Sequence, residues 1–269
     1  MASNKHLKIT SQLIVEKKDN VGQINLNNQA KRNAMTFEMW RDLPIVLSDF
    51  DNDDTIRCVL LAGAGGKAFC AGADISQFEQ NRSSEQGIVK YNLAVENALS
   101  NLQSIKKPTI AMIEGPCIGG GVGLAIACDL RIANDVSIFA VPAAKLGLGY
   151  RIDGLIPLVN IVGPSFAKEI FYTARRFNAQ EALSMGLVNR VLPNSVLTDF
   201  VKRYTKEISE NAPLTIKAVK VCVGEALKDT NDRDLALCKA VVDDCFRSED
   251  YKEGRTAFME KRTPQFRGT

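Results

Sequence analysis

With 269 residues, 45% of them hydrophobic and 24% charged, the chain is long and apolar enough to bury one sizeable core plus an appendage, which excludes a disordered protein. A net charge of +3, with no basic stripe interleaved with aromatics, argues against a nucleic-acid partner. No stretch approaches the roughly 20 apolar residues of a membrane span, the N-terminus lacks a continuous apolar run, and the seven cysteines are scattered without CxxC spacing, so reduced thiols in a soluble cytoplasmic protein are expected.

The hairpin comes first. Leu13 to Glu16 and Val21 to Leu26 read as strands joined by Lys17-Lys18-Asp19-Asn20, and polar loop chemistry follows from Asn27 to Met35. Thr36 is placed to cap a helix whose Met39, Leu43, Leu47 and Phe50 recur at helical spacing, with Pro44 predicting a kink or a boundary inside it. Arg57 to Leu61 is a buried strand by composition and ends in Ala62-Gly63-Ala64-Gly65-Gly66; that tract lacks the spacing and the following Ser/Thr of a phosphate-binding P-loop. A second small-residue loop, Lys67 to Ile75, precedes a helix capped by Ser83 or Ser84, carrying Tyr91, Val95 and Leu99 on one face and stopped by Pro108.

Lys107 to Asp129 organises the chain: a short apolar strand, three consecutive glycines at 119–121, and a helix of small residues. A helix starting in those glycines has free backbone N–H groups there, with no Cβ to keep a ligand oxygen away. The alternative is that the glycines only allow tight helix packing. Leu130 to Ala133 and Ser137 to Val141 are further strands, so the unit of strand, glycine loop and helix occurs twice, as in a repeating β-rich core with helices outside. Pro142 to Gly163 reads as loop, Ser165 to Thr173 and Ala179 to Met185 as short helices, and Leu187 to Val191 as a strand. Three or four helices from about Leu197 to Lys261 carry Leu227, Leu235, Leu237, Val241, Val242 and Phe246, more apolar surface than one isolated tail needs. The only histidine, His6, lies in a terminus expected to be loosely held, which sets aside Ser-His-Asp, Cys-His and most catalytic zinc chemistry, and no metal site is expected.

Ala68-Phe69-Cys70-Ala71-Gly72-Ala73-Asp74-Ile75, and Gly115-Pro116-Cys117-Ile118-Gly119-Gly120-Gly121 followed by Cys128-Asp129, resemble the two signatures of the enoyl-CoA hydratase/isomerase (crotonase) superfamily. The resemblance runs from Lys31-Arg32-Asn33-Ala34 through Ala179-Gln180-Glu181-Ala182 and Gly186-Leu187-Val188 to Ala257-Phe258-Met259-Glu260-Lys261-Arg262. It implies an α/β fold, a crotonase-like spiral of ββα repeats, with a spiral core over 1–195 and a helical C-terminal region over 196–269 that assembles a trimer or a dimer of trimers. By the same resemblance the backbone N–H groups of Ala73 and Gly120 form an oxyanion hole for an acyl-CoA thioester. Coenzyme A enters as part of the substrate, with no separate cofactor. Lys31, Arg32, Ala34, Ala71, Asp74 and Ile75 would border its CoA moiety, while Phe258 and Lys261 would reach the adenine end of a neighbouring subunit's ligand. Lys31 and Arg32 read equally well as surface charge, and the carboxylates of Asp74, Glu114 and Asp129 as structural.

Hydrating members of that family use two glutamates, and at the corresponding positions this chain has Gly123 and Ala143, neither of which can move a proton. Many isomerases keep the second of them. Lys145 to Tyr150 and Ser248 to Gly254 are more similar to the methylmalonyl-CoA decarboxylase branch, which has an active-site tyrosine where Tyr150 falls, yet that branch has a histidine at the position of Ala73 and a glutamate at that of Gly123. Tyr150 is either a catalytic group or a packing tyrosine; Asp153 is either a substitute base, with Arg151 as anion partner, or turn chemistry before Gly154. Three functions stay open: enolate chemistry such as decarboxylation, weak hydration or isomerisation, and acyl-CoA binding without catalysis. Acyl-chain length would depend on the polar Gln77 to Gln86 segment.

Overall fold

The computed structural model describes residues 7–77 and 83–269, so His6 and part of the Gln77 to Gln86 segment lie outside the described residues. Alternating apolar positions make β1 (Leu13–Lys18) and β2 (Val21–Leu26) an antiparallel hairpin, turned by Asp19 and Asn20, both at positive φ. The remaining strands are β3 (Cys58–Gly63), β4 (Thr109–Ile113), β5 (Pro116–Ile118), β6 (Leu130–Asn134), β7 (Ile138–Ala140), β8 (Phe177–Asn178) and β9 (Arg190–Leu192). A main sheet runs β1-β2-β3-β4-β6-β9, parallel from β2 onward, and a small sheet runs β5-β7-β8. The helices are α1 (Phe37–Asp51), α2 (Glu85–Ser104), α3 (Gly120–Ala127), α4 (Ile152–Thr173), α5 (Ala179–Ser184), α6 (Asn194–Glu210), α7 (Pro213–Ala226), α8 (Leu235–Arg247) and α9 (Glu249–Glu260).

A parallel sheet covered on both faces needs strands that are apolar throughout, and β3 shows the consequence. Val59 and Leu61 belong to the core that also holds Ile24, Leu43, Leu47, Phe50 and Tyr91, whereas Cys58, Leu60 and Ala62 share a second cluster with Leu197 and Val201 of α6.

Thr36 and Ser84 cap α1 and α2 through their side-chain oxygens, which accept from Met39 N (3.3 Å) and Gly87 N (3.1 Å). Pro44 does not end α1; burial of Leu43, Val46, Leu47 and Phe50 outweighs the one helical hydrogen bond that proline forfeits. The stretch expected to be loop through Gly163 is irregular only as far as Arg151. From Ile152 it is helical, because Leu158 and Val162 bury one face despite the prolines, and Gly163 (φ 72°, ψ 167°) breaks α4 without ending it. The strand expected at Leu187 to Val191 is shifted to β9, with Leu187 and Val188 buried in the turn before it.

α6 covers the sheet, while α7, α8 and α9 lie beyond it around an apolar groove of about 800 Å³ lined by residues that include Leu214, Ala218, Val242, Phe246, Tyr251 and Phe266. The last residues fold back on α9, where the Asp250 carboxylate accepts from Arg267 N (2.6 Å) and Gly268 N (2.8 Å).

Candidate active site

Two loops meet at the ends of the buried strands. After β3, the chain runs beside β5: Cys70 N donates to Pro116 O (3.1 Å) and Ile118 N donates to Cys70 O (2.9 Å). On its other side Met35 N donates to Gly72 O (2.8 Å) and Asp74 N to Met35 O (2.8 Å), a parallel bridge that pairs Met35 with Ala73 while using neither the N–H nor the carbonyl of Ala73. The Gly72 carbonyl and the Ala73 N–H share one planar trans peptide, so holding the oxygen toward Met35 turns the N–H the opposite way. Among the described residues that N–H has no acceptor.

The second loop is fixed in the same manner. Gly119 N donates to Ala140 O (2.8 Å) and Gly123 N to Gly119 O (3.1 Å), so the Gly120 N–H, at the first helical position of α3, points back out of the helix. Gly119 has φ 53° and ψ −112°, a conformation that L side chains rarely adopt. A Cβ on Gly120 would sit 3.6 Å from Ala73 N, and one on Gly72 would sit 3.6 Å from Gly120 N. A side chain at either glycine would therefore stand against a backbone nitrogen of the opposite loop.

Lys31, Arg32, Ala34, Ala71, Asp74 and Ile75 are brought together beside the first loop. Lys31 Nζ binds Asp74 Oδ2 (2.8 Å) and Ser76 Oγ (2.6 Å), and Ala71 N donates to Arg32 O (3.0 Å). Burial works to raise the Asp74 carboxyl, but the hydrogen bonds from Lys31 and Ser76 outweigh it and hold the group below the ordinary carboxylate range. Ala34 is buried and Ile75 is 70% exposed. Phe258 lines the C-terminal groove, which includes no residue of the two glycine loops, and the exposed Lys261 follows at the end of α9.

Gly123 lies one turn beyond Gly120, where a Cβ would meet, among the described residues, only Leu99 Cδ1 at 3.8 Å; Ala143 is buried in the short turn Pro142–Leu146. Tyr150 is 39% exposed, its ring edge-on to Phe171 (centroids 4.6 Å apart) and against Gly154, and desolvation raises its phenol above the ordinary value. Asp153 is exposed in the first turn of α4, where a negative charge also suits the helix dipole, and Arg151 is ion-paired with Glu96 of α2. Glu114 follows β4, half-buried, and burial pushes its carboxyl up. Among the described residues no group of three or more His, Cys, Asp or Glu is arranged to hold a metal ion, and no helix is long and apolar enough to cross a membrane.

Sequence reasoning missed Trp40. It is buried against the second loop, its Cζ2 lying 3.2 Å from where a Gly120 Cβ would be, and its indole N–H has no partner among the described residues. Its spacing of three and seven residues from Leu43 and Leu47 was the available signal.

The enoyl-CoA hydratase/isomerase family profile matches residues 16–269. A short-chain-enoyl-CoA hydratase of Clostridium acetobutylicum is 34% identical over 250 residues, covering 93% of this chain and 95% of the relative. Methylmalonyl-CoA decarboxylase of Escherichia coli is 35% identical over 255 residues, covering 92% and 95%. A crystal structure of an enoyl-CoA hydratase/carnithine racemase from Magnetospirillum magneticum superposes with a TM-score of 0.90 at 32% identity, covering 97% of each chain. The chain belongs to the enoyl-CoA hydratase/isomerase family and has its crotonase-like fold.

Proposed function

We propose that this protein binds an acyl-CoA thioester with its carbonyl oxygen between the Ala73 and Gly120 N–H groups and stabilises the enolate formed there. What supports the reading is that the Ala73 N–H has no acceptor among the described residues and the Gly120 N–H stands at the first position of α3, with a Cβ on Gly72 or Gly120 falling 3.6 Å from the nitrogen of the opposite loop. Donors fixed in advance stabilise developing negative charge without reorganising, and loss of one costs on the order of 10² to 10³ in rate.

The reaction that fits best with a chain lacking carboxylates at 123 and 143 is decarboxylation of a malonyl-type thioester. The bond from the α-carbon to the carboxylate breaks, its electron pair passes to the thioester oxygen, carbon dioxide leaves, and the enolate takes a proton at the α-carbon. This needs no base. Gly123 and Ala143 supply none, and Tyr150, whose raised phenol stays protonated at neutral pH, is the candidate proton donor. Asp153 is the alternative acid–base group. Weak hydration or isomerisation, and binding without turnover, are the competing readings.

Coenzyme A is part of the substrate, held at Lys31, Arg32, Ala34, Ala71, Asp74 and Ile75. Copies assemble through the C-terminal helices as a trimer or dimer of trimers, so that Phe258 and Lys261 reach a neighbour's ligand, and the assembly acts in cytoplasmic fatty acid metabolism. Incubation with methylmalonyl-CoA, followed by mass spectrometry, tests the reaction. Carbon dioxide and propionyl-CoA are expected; saturable binding without product would favour the binding role.

A further inference from the structure

The two donors sit on separate loops, and Cys70 lies against a sequence neighbour of each, Gly72 beside Ala73 and Gly121 beside Gly120. We propose that Cys70 is a positioning residue that sets the Ala73 and Gly120 N–H groups relative to each other, an inference that rests on the oxyanion reading above. The Gly72 N–H donates to Cys70 Sγ (3.4 Å), and the thiol donates to Gly72 O (3.6 Å), the oxygen that also accepts from Met35 N (2.8 Å). That oxygen belongs to the peptide carrying the Ala73 N–H, so the grip on one end directs the other. Toward the second loop, a Cβ on Gly121 would lie 2.9 Å from Cys70 Cβ and 2.5 Å from Cys70 O. A side chain on the residue after Gly120 would therefore run into the main chain and Cβ of Cys70, and glycine there lets the two loops pack closely. The Cys70 main chain meanwhile ties its loop to Pro116 and Ile118 of β5, the latter two residues ahead of Gly120. Cys70 is fully buried, and burial pushes its thiol up to about 12, so it stays a neutral donor and is no nucleophile.

The test is isotope-edited infrared spectroscopy of crotonyl-CoA carrying a ¹³C carbonyl, bound to the full chain. In the parent protein the carbonyl stretch should move to lower frequency on binding. Cys70→Ser, whose oxygen sits on a shorter bond, should show a smaller displacement, and Cys70→Ala should lose more than half of it. Cys58→Ala, an equally buried cysteine on the far face of the sheet, should match the parent. Generic loosening of the core would instead affect Cys58→Ala as well, and that result counts against the proposal. A displacement unchanged in Cys70→Ala overturns the proposal while leaving the oxyanion reading intact; should that variant not fold, an unchanged displacement in Cys70→Ser does the same. No displacement in the parent overturns the oxyanion reading and this inference with it.

Discussion

Placing carboxylates at the two positions where hydrating members of the family carry glutamates should raise hydration by this protein. The perturbation is Gly123→Glu with Ala143→Glu. At Gly123 a Cβ would meet, among the described residues, only Leu99 Cδ1 at 3.8 Å, an ordinary contact, so the first atom of a longer side chain is accommodated there. Ala143 is 5% exposed, so the larger side chain costs about 1–3 kcal/mol of stability by overpacking, and its carboxyl must find a hydrogen-bond partner. A positioned acid–base group contributes roughly 10² to 10⁴ in rate, so the double variant should hydrate crotonyl-CoA at least about a hundredfold faster than the parent, with each single variant well below it. The assay is loss of the conjugated thioester's ultraviolet absorbance, with the hydrated product identified by mass. A folded double variant that binds crotonyl-CoA and is no faster than the parent would mean that the missing carboxylates are not what withholds hydration.

Four further outcomes follow from the same geometry. Gly121→Ala forces a Cβ to 2.5 Å from Cys70 O and should lower stability by about 1–3 kcal/mol in thermal melts. Gly123→Ala should melt at or above the parent, since alanine is favoured over glycine in a helix by about 1 kcal/mol and finds no clash. Asp74 titrates below its unfolded value, so its contribution is complete above about pH 4 and is lost as pH falls through the depressed folded value. Asp74→Asn should remove that slope from a stability-against-pH series. Tyr150→Phe keeps the ring on Phe171 and should leave the melting temperature unchanged while slowing decarboxylation by at least about tenfold.

Much of this was legible in the sequence because the signals are local. The hairpin, the apolar run of β3 and the caps at Thr36 and Ser84 each follow from a few neighbouring residues, and the two glycine loops lie directly after buried strands. α4 was not legible: Gly154, Pro157, Gly163 and Pro164 are local breakers, and only tertiary burial of Leu158 and Val162 overrides them. Contacts between distant positions were equally hidden. Lys31 and Asp74 are 43 residues apart in sequence, and nothing in the run around Cys70 announces that it carries Gly121.

Whether glycine at 123 and alanine at 143 withhold hydration from a protein that still binds the thioester is decided most directly by turnover of crotonyl-CoA. The purified parent protein would be measured beside a relative that has both glutamates. Bound thioester is expected, with hydration slower than the relative's by at least about 10²-fold. Hydration at the relative's rate would contradict this, because some other residue would then be positioning the water.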